Sequence, residues 1–190
     1  MDLSQHLRLL LPGDSASADE LSKVQGSFTL TRLHKGDPLI VDGPVDGAFV
    51  TAGCLRVYFT EADGTERTLY FAPEGWWVPS LDGLDPGSSA CIGVDALERT
   101  DVWLVARTPE AGAPARLWSA LDDQAVTALQ RRLVGAMRKS AADRYVEFQR
   151  VYPGLDARIP QYHVAEYLGI SAEFLSKMRS RLLREDARAS

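Results

Sequence analysis

The chain has 190 residues, 45% of them hydrophobic, a formal net charge of −5 and two cysteines. That length suits one large or two small domains with a real core, and Cys54 and Cys91 alone exclude a four-thiolate iron–sulfur cluster. The start Met1-Asp2-Leu3 lacks a basic, apolar leader and no run approaches a membrane span, so a cytoplasmic protein with buried thiols and no membrane partner is expected.

Leu3, Leu7, Leu10 and Leu11 share one face of a short predicted helix that stops at Pro12-Gly13-Asp14. Ser17 caps a second helix, with Asp19 and Glu20 in its first turn, where the helix dipole favours acids, and Gly26 ends it. From Ser27 the apolar period falls to two. Strands are predicted over residues 28–33, 39–41, 48–51, 55–60, 67–71, 76–78, 90–97 and 102–106, with Asp63-Gly64 as a hairpin turn and 79–89 as a loop rich in Gly, Pro, Asp and Ser. Short strands with turn signals every eight to twelve residues predict an α+β protein whose front is an antiparallel β-roll of jelly-roll type.

The helical period returns after Thr108. Pro109 opens a short helix to about Trp118, and a long helix runs from Asp122-Asp123 to about Val151. Leu129, Leu133, Ala136, Ser140, Tyr145 and Phe148 form a stripe along it, which can pack on the roll or on the same helix of a second subunit. Pro153-Gly154 breaks the helix and serves as a hinge.

Residues 160–184 predict two short helices joined by a tight turn. Pro160 suits the first turn of the first helix, and Val164, Ala165 and Leu168 share its apolar face. Gly169 supplies the left-handed residue and Ser171 the N-cap of the second helix. In that helix Leu175, Met178 and Leu182 share one face, while Ala172, Glu173, Ser176, Lys177, Ser180 and Arg184 share the other. This is the pattern of a helix-turn-helix, whose second helix lies in the DNA major groove. A helical hairpin buried in a core has the same periodicity. Small Ala165 at the helix crossing, the position near the C-terminus after a long helix, and Lys177, Arg179, Arg181 and Arg184 with no acid among them favour DNA. The charge distribution agrees: residues 131–190 hold 12 Lys/Arg against 7 Asp/Glu, and residues 1–130 hold 9 against 19.

The order of roll, long helix, hinge and helix-turn-helix resembles the Crp/Fnr family of bacterial transcription regulators, from about Leu3 to Arg184. Leu39 to Gly53 with Asp63-Gly64 resemble the front of the family's cyclic-nucleotide-binding-type roll. Asp143-Arg-Tyr-Val-Glu-Phe148 resembles the end of its dimer helix, and Arg158 to Arg179 is similar to its DNA reader. The resemblance implies a sensor over residues 1–108, a linker and long dimerisation helix over 109–151, and a DNA reader over 152–190. It implies a homodimer reading a near-palindromic site on double-stranded DNA, with a small-molecule effector and RNA polymerase as candidate partners.

Two departures stand out. Cyclic-nucleotide binders of the family carry an arginine just before a (Ser/Thr)-Ala pair; here Ser89-Ala90 follows Ser88, and Asp82 and Asp85 would repel a phosphate. Binding of cAMP by the usual contacts is therefore not expected, and no cofactor is assigned. Trp76, Trp77, Ser80, Ser88 and Ser89 are candidates to line a pocket for another effector, or the tryptophans are simply core. No counterpart of the family's β-hairpin wing is expected after the recognition helix, where Glu185 to Ser190 follow.

Within the reader, Ser171, Ala172, Glu173, Ser176 and Lys177 occupy the end that meets base edges. Glu173 is a candidate acceptor from cytosine N4 and Lys177 a candidate donor to guanine, unless the two form only a surface ion pair. Arg179, Arg181 and Arg184 are candidate phosphate contacts, with Gln161 and Tyr162 touching the backbone from the first helix. A metalloenzyme on a similar roll would need clustered ligands, but His6, His34 and His163 fall in unrelated segments, and no P-loop, G-x-S-x-G or G-x-G-x-x-G occurs, so no catalysis is expected. A ligand-binding or protein-interaction module with a degenerate DNA reader remains the rival.

Overall fold

The computed structural model describes residues 28–40, 47–79, 91–105, 115–138 and 140–189. The helices expected over 2–11 and 17–26, the loop after Pro79 and the helix start at Pro109 lie outside these residues. The chain forms two compact units, residues 1–130 and 131–190.

The first unit holds seven strands among the described residues: β1 (Phe28–Leu33), β2 (Gly47–Ala52), β3 (Cys54–Thr60), β4 (Glu66–Pro73), β5 (Trp77–Pro79), β6 (Cys91–Ala96) and β7 (Thr100–Val105). They make two antiparallel sheets, ordered β1-β7-β2-β5 and β4-β3-β6. Leu33, Val50, Val78 and Val102 of the first sheet pack with Leu55, Val57, Tyr70 and Ala72 of the second, so the core lies between the sheets. Alternation along β3 explains this: Leu55 and Val57 face that core, while Arg56 between them reaches Asp95 and Glu66. Gly47 makes room for Trp77, since a Cβ there would lie 2.1 Å from the indole Cζ2.

Three expectations are corrected. Leu39 and Ile40 form no strand: Pro38 makes an isolated bridge to Asp95, Leu39 N–H donates to Val94 O at 2.8 Å, and Ile40 N–H turns back to Pro38 O. Proline has no N–H to continue a ladder, which limits the pairing to this bridge. The helix break expected near Trp118 is absent, because α1 runs unbroken over Ala115–Arg138. No glycine or proline separates Trp118 from Asp122, so propagation continues.

The third correction matters most. The single long helix to Val151 is two helices, α1 and α2 (Ala141–Val151). Ser140 stands between them as an N-cap with extended backbone (φ −62°, ψ 164°). Its hydroxyl accepts from Asp143 N–H at 3.2 Å, and the Asp143 carboxylate accepts from Ser140 N–H at 3.2 Å. This capping box satisfies donors that a continuous helix would have used internally, and it starts a new helix. The expected stripe divides accordingly. Leu129 and Leu133 of α1 are exposed, whereas Tyr145 and Phe148 of α2 are buried.

The second unit continues with α3 (Leu155–Arg158), α4 (Gln161–Leu168) and α5 (Ala172–Ala189). Gly154, at φ 73°, starts α3, a short helix that sequence periodicity did not indicate. Tyr145, Phe148, Tyr152 and Tyr167 form an aromatic core joining α2 to α4, with ring centroids 5.2–6.4 Å apart in successive pairs. The Arg132 guanidinium, near the end of α1, lies 5.0 Å from the Tyr167 ring. Burial lowers the pKa of Arg132, and the negative ends of Tyr167, Tyr152 and Glu166 partly oppose this.

Candidate nucleic-acid interface

The helix-turn-helix expected from the sequence is formed by α4 and α5. Gly169 adopts φ 67°, ψ 38°, and its N–H donates to Glu166 O at 3.0 Å while Ile170 N–H donates to Ala165 O at 3.0 Å. These two bonds close α4 in the Schellman manner, which needs a residue comfortable in the left-handed region. Ser171 Oγ then accepts from Phe174 N–H at 3.1 Å, capping α5. Pro160 is the N-cap of α4, one position earlier than its expected place in the first turn. Val164, Ala165, Leu168 and Leu175 are buried where the helices cross, so the small side chain at Ala165 lets them approach.

With that face fixed inward, the opposite side of α5 is open. Ser171, Ala172, Glu173, Ser176, Lys177, Ser180, Arg181 and Arg184 are all exposed. Arg184 Nε donates to Ser180 O at 2.9 Å, which lays its side chain along the helix. On α4, Tyr162 is exposed and its ring lies 4.0 Å from that of His163, while Gln161 is half-buried.

Arg179 is placed differently from the other cations. Its Nη1 donates to Gln161 Oε1, its Nη2 lies 3.6 Å from Asp156 Oδ2, and its guanidinium lies 5.9 Å from the Tyr145 ring. Gln161 Nε2 in turn donates to Asp156 O. Arg179 therefore joins α5 to α2, α3 and α4 rather than projecting with Lys177. Sequence reasoning missed Asp156, because a four-residue helix has too little length to show a period.

Two further residues went unnoticed. Arg144 Nε donates to Leu168 O at 3.1 Å, covering a carbonyl at the end of α4. Phe174 is 50% exposed in the first turn of α5 although its type suggests core. It borders an apolar groove of about 420 Å³ between α5 and the start of α2, with Ala141, Ala142, Met178 and Leu182 in its lining and Lys177 and Arg181 beside them.

Of the residues suggested for an effector pocket, Trp77 is a core side chain. It is fully buried, and its Nε1–H donates to Asp122 Oδ1 at 3.1 Å. Trp76 is half-buried and packs against the inter-sheet core. Ser80, Ser88 and Ser89 lie outside the described residues. Among the described residues no group of three His, Cys, Asp or Glu could hold a metal ion, and no helix is long and apolar enough to cross a membrane.

No protein-family model matches the sequence, and no curated protein matches it. Solved structures do match in fold, and they are Crp/Fnr-type regulators. FixK2 from Bradyrhizobium japonicum is 20% identical with a TM-score of 0.62, covering 84% of this chain and 86% of its own. The c-di-GMP-responsive global regulator CLP of Xanthomonas campestris is 15% identical with a TM-score of 0.63, covering 90% and 93%. A transcriptional regulator of the Crp/Fnr family from Thermus thermophilus is 16% identical with a TM-score of 0.55, covering 83% and 87%. At such identities the shared property is the fold, an antiparallel roll followed by helices and a helix-turn-helix.

Proposed function

We propose that the chain is a cytoplasmic transcription regulator of Crp/Fnr type, not an enzyme, that binds double-stranded DNA as a homodimer on a near-palindromic site. The observation that carries this reading is α5. Its N-terminal end presents Ala172, Glu173, Ser176 and Lys177 to solvent, while Leu175 and Met178 fix the opposite side. That is the end of a recognition helix that meets base edges. Glu173 is assigned to cytosine N4 and Lys177 to guanine O6 or N7. Gln161, Tyr162, Arg181 and Arg184 are assigned to the DNA backbone. Arg179, engaged with Asp156 and Gln161, is assigned to positioning instead.

The functional division follows as sensor 1–108, linker and dimer helix 109–151, and reader 152–190. The exposed apolar residues of α1, Val126, Leu129, Leu133 and Val134, support its role as the self-pairing face. Binding of cAMP by the usual contacts is not part of this reading, since no arginine precedes Ser89-Ala90, and a small-molecule effector is a candidate partner only. RNA polymerase completes the partners of this reading.

Selection from a randomised DNA library by the purified protein, followed by sequencing, tests the proposal. A near-palindrome with half-sites about one helical turn apart is expected. Glu173→Ala then relaxes one position in each half-site, and Lys177→Ala costs about 1–3 kcal/mol. A bound fraction with no shared motif would count against the reading.

A further inference from the structure

We propose that Phe174, with the apolar groove beside it, reads the 5-methyl group of a thymine in each half-site; this rests on the DNA-binding reading above. Phe174 sits in the first turn of α5, its N–H tied to the Ser171 cap. It is 50% exposed, whereas Leu175 and Met178 on the packed side are buried. The folded unit therefore does not use this ring as core, and the ring continues the apolar lining of the groove that Met178 and Leu182 share with it.

The groove indicates which partner. Its floor is apolar, with Ala141, Ala142, Met178 and Leu182, yet Lys177 and Arg181 line it and no acidic residue does. The groove begins at Ser140 and Ala141, where the Asp143 carboxylate already serves the start of α2, so Lys177 and Arg181 are the charges left to meet phosphates. An apolar surface among cations matches the edge of a duplex, where phosphates flank bases. In the major groove thymine alone presents a methyl, and neither Glu173 nor Lys177 can read it; an aromatic or methyl-bearing side chain can. The polar residues of α5 then report on C·G pairs, and Phe174 reports on a neighbouring T·A pair.

The test uses the full chain and the operator recovered by selection. Each thymine of the half-sites is replaced in turn by deoxyuridine, which removes only the methyl, and affinity is read by fluorescence anisotropy. Withdrawing one methyl from an apolar contact weakens binding about fourfold per half-site, and about fifteenfold when both half-sites are changed. For Phe174→Ala the loss at that position disappears, and for Phe174→Leu part of it remains. Equal affinity for thymine and uracil at every position overturns the proposal while leaving DNA binding intact, and assigns the groove to another partner such as an acidic peptide. Discrimination that persists in Phe174→Ala overturns it as well. Absence of binding to any DNA overturns both this inference and the function it rests on.

Discussion

Tyr145 of α2 donates a 2.7 Å hydrogen bond to the buried carboxylate of Asp156 in α3. Asp156 also stands 3.6 Å from Arg179 of α5, so one carboxylate links α2, α3 and α5. Burial, and then the bond to Asp156, push the Tyr145 phenol up to about 12.

That shift has a defined sign. The folded state holds the Tyr145 proton more tightly than the unfolded chain, whose phenol titrates near 10. The contribution is complete below about pH 10 and is lost as pH rises through about 12. Urea unfolding followed between pH 8 and 12 should therefore show a falling midpoint in the upper half of that range. Tyr145→Phe should lower stability at neutral pH by about 1.5–3 kcal/mol, the usual worth of a hydrogen bond to a charged group, and should flatten the alkaline decline.

Arg179 and Arg181 should separate in their salt dependence. A phosphate contact contributes close to one unit to the slope of log K against log salt. Arg181→Ala should reduce that slope by about one, with similar losses for all sequences. Arg179→Ala should weaken binding and blur base preference with the slope nearly unchanged, because its guanidinium is committed to Asp156 and Gln161. Anisotropy titrations at several salt concentrations distinguish the two.

In the roll, Arg56 has a side chain only 5% exposed and bonds Asp95 through Nε at 2.9 Å and Nη2 at 2.7 Å, with Glu66 also at 2.7 Å. Burial disfavours its charge, but the bonds to Asp95 and Glu66 outweigh that and hold it above the ordinary arginine range. Asp95→Ala leaves this cation poorly compensated and should cost about 3–5 kcal/mol in urea unfolding. The double change Arg56→Met with Asp95→Leu should cost less than the single one, since no buried charge is then stranded.

Gly53 and Gly64 share nearly the same backbone, φ 85° and 84°, but not the same surroundings. A Cβ on Gly64 meets nothing within 4 Å, while one on Gly53 would lie 2.4 Å from Arg99 O. Gly64→Ala should cost about 1–2 kcal/mol from left-handed strain alone. Gly53→Ala should cost distinctly more, because a carbonyl in the backbone must also move; thermal unfolding of both variants checks the order.

Most of the architecture was legible in the chain because its signals are local. Period two located the strands, Asp63-Gly64 the hairpin, and Gly169-Ile-Ser171 the turn of the reader with its two caps. The break in the long helix was also encoded, in Ser140-Ala-Ala-Asp143, but an uninterrupted helical stripe across Ser140 masked it. Trp77 illustrates a different limit. Its burial depends on Gly47, thirty residues away, and on Asp122 across the unit, and neither relation leaves a mark in local sequence. Arg179 read as one more cation among four because its partner Asp156 belongs to a helix too short to announce itself. Phe174 failed for the opposite reason: an aromatic residue beside Leu175 suggests core, and only the rotation of α5 about its axis turns it outward.

The Arg144 bond to Leu168 O has an energetic consequence for the reader. It anchors the end of α4 to α2 immediately before the turn that launches α5, and the contacts of Arg179 with Asp156 and Gln161 hold α5 from its other side. Little conformational entropy then remains to be surrendered when a duplex is met. Association should resemble the docking of a rigid body, with a modest heat-capacity change set by the contact area, rather than the large negative value that accompanies folding on a template.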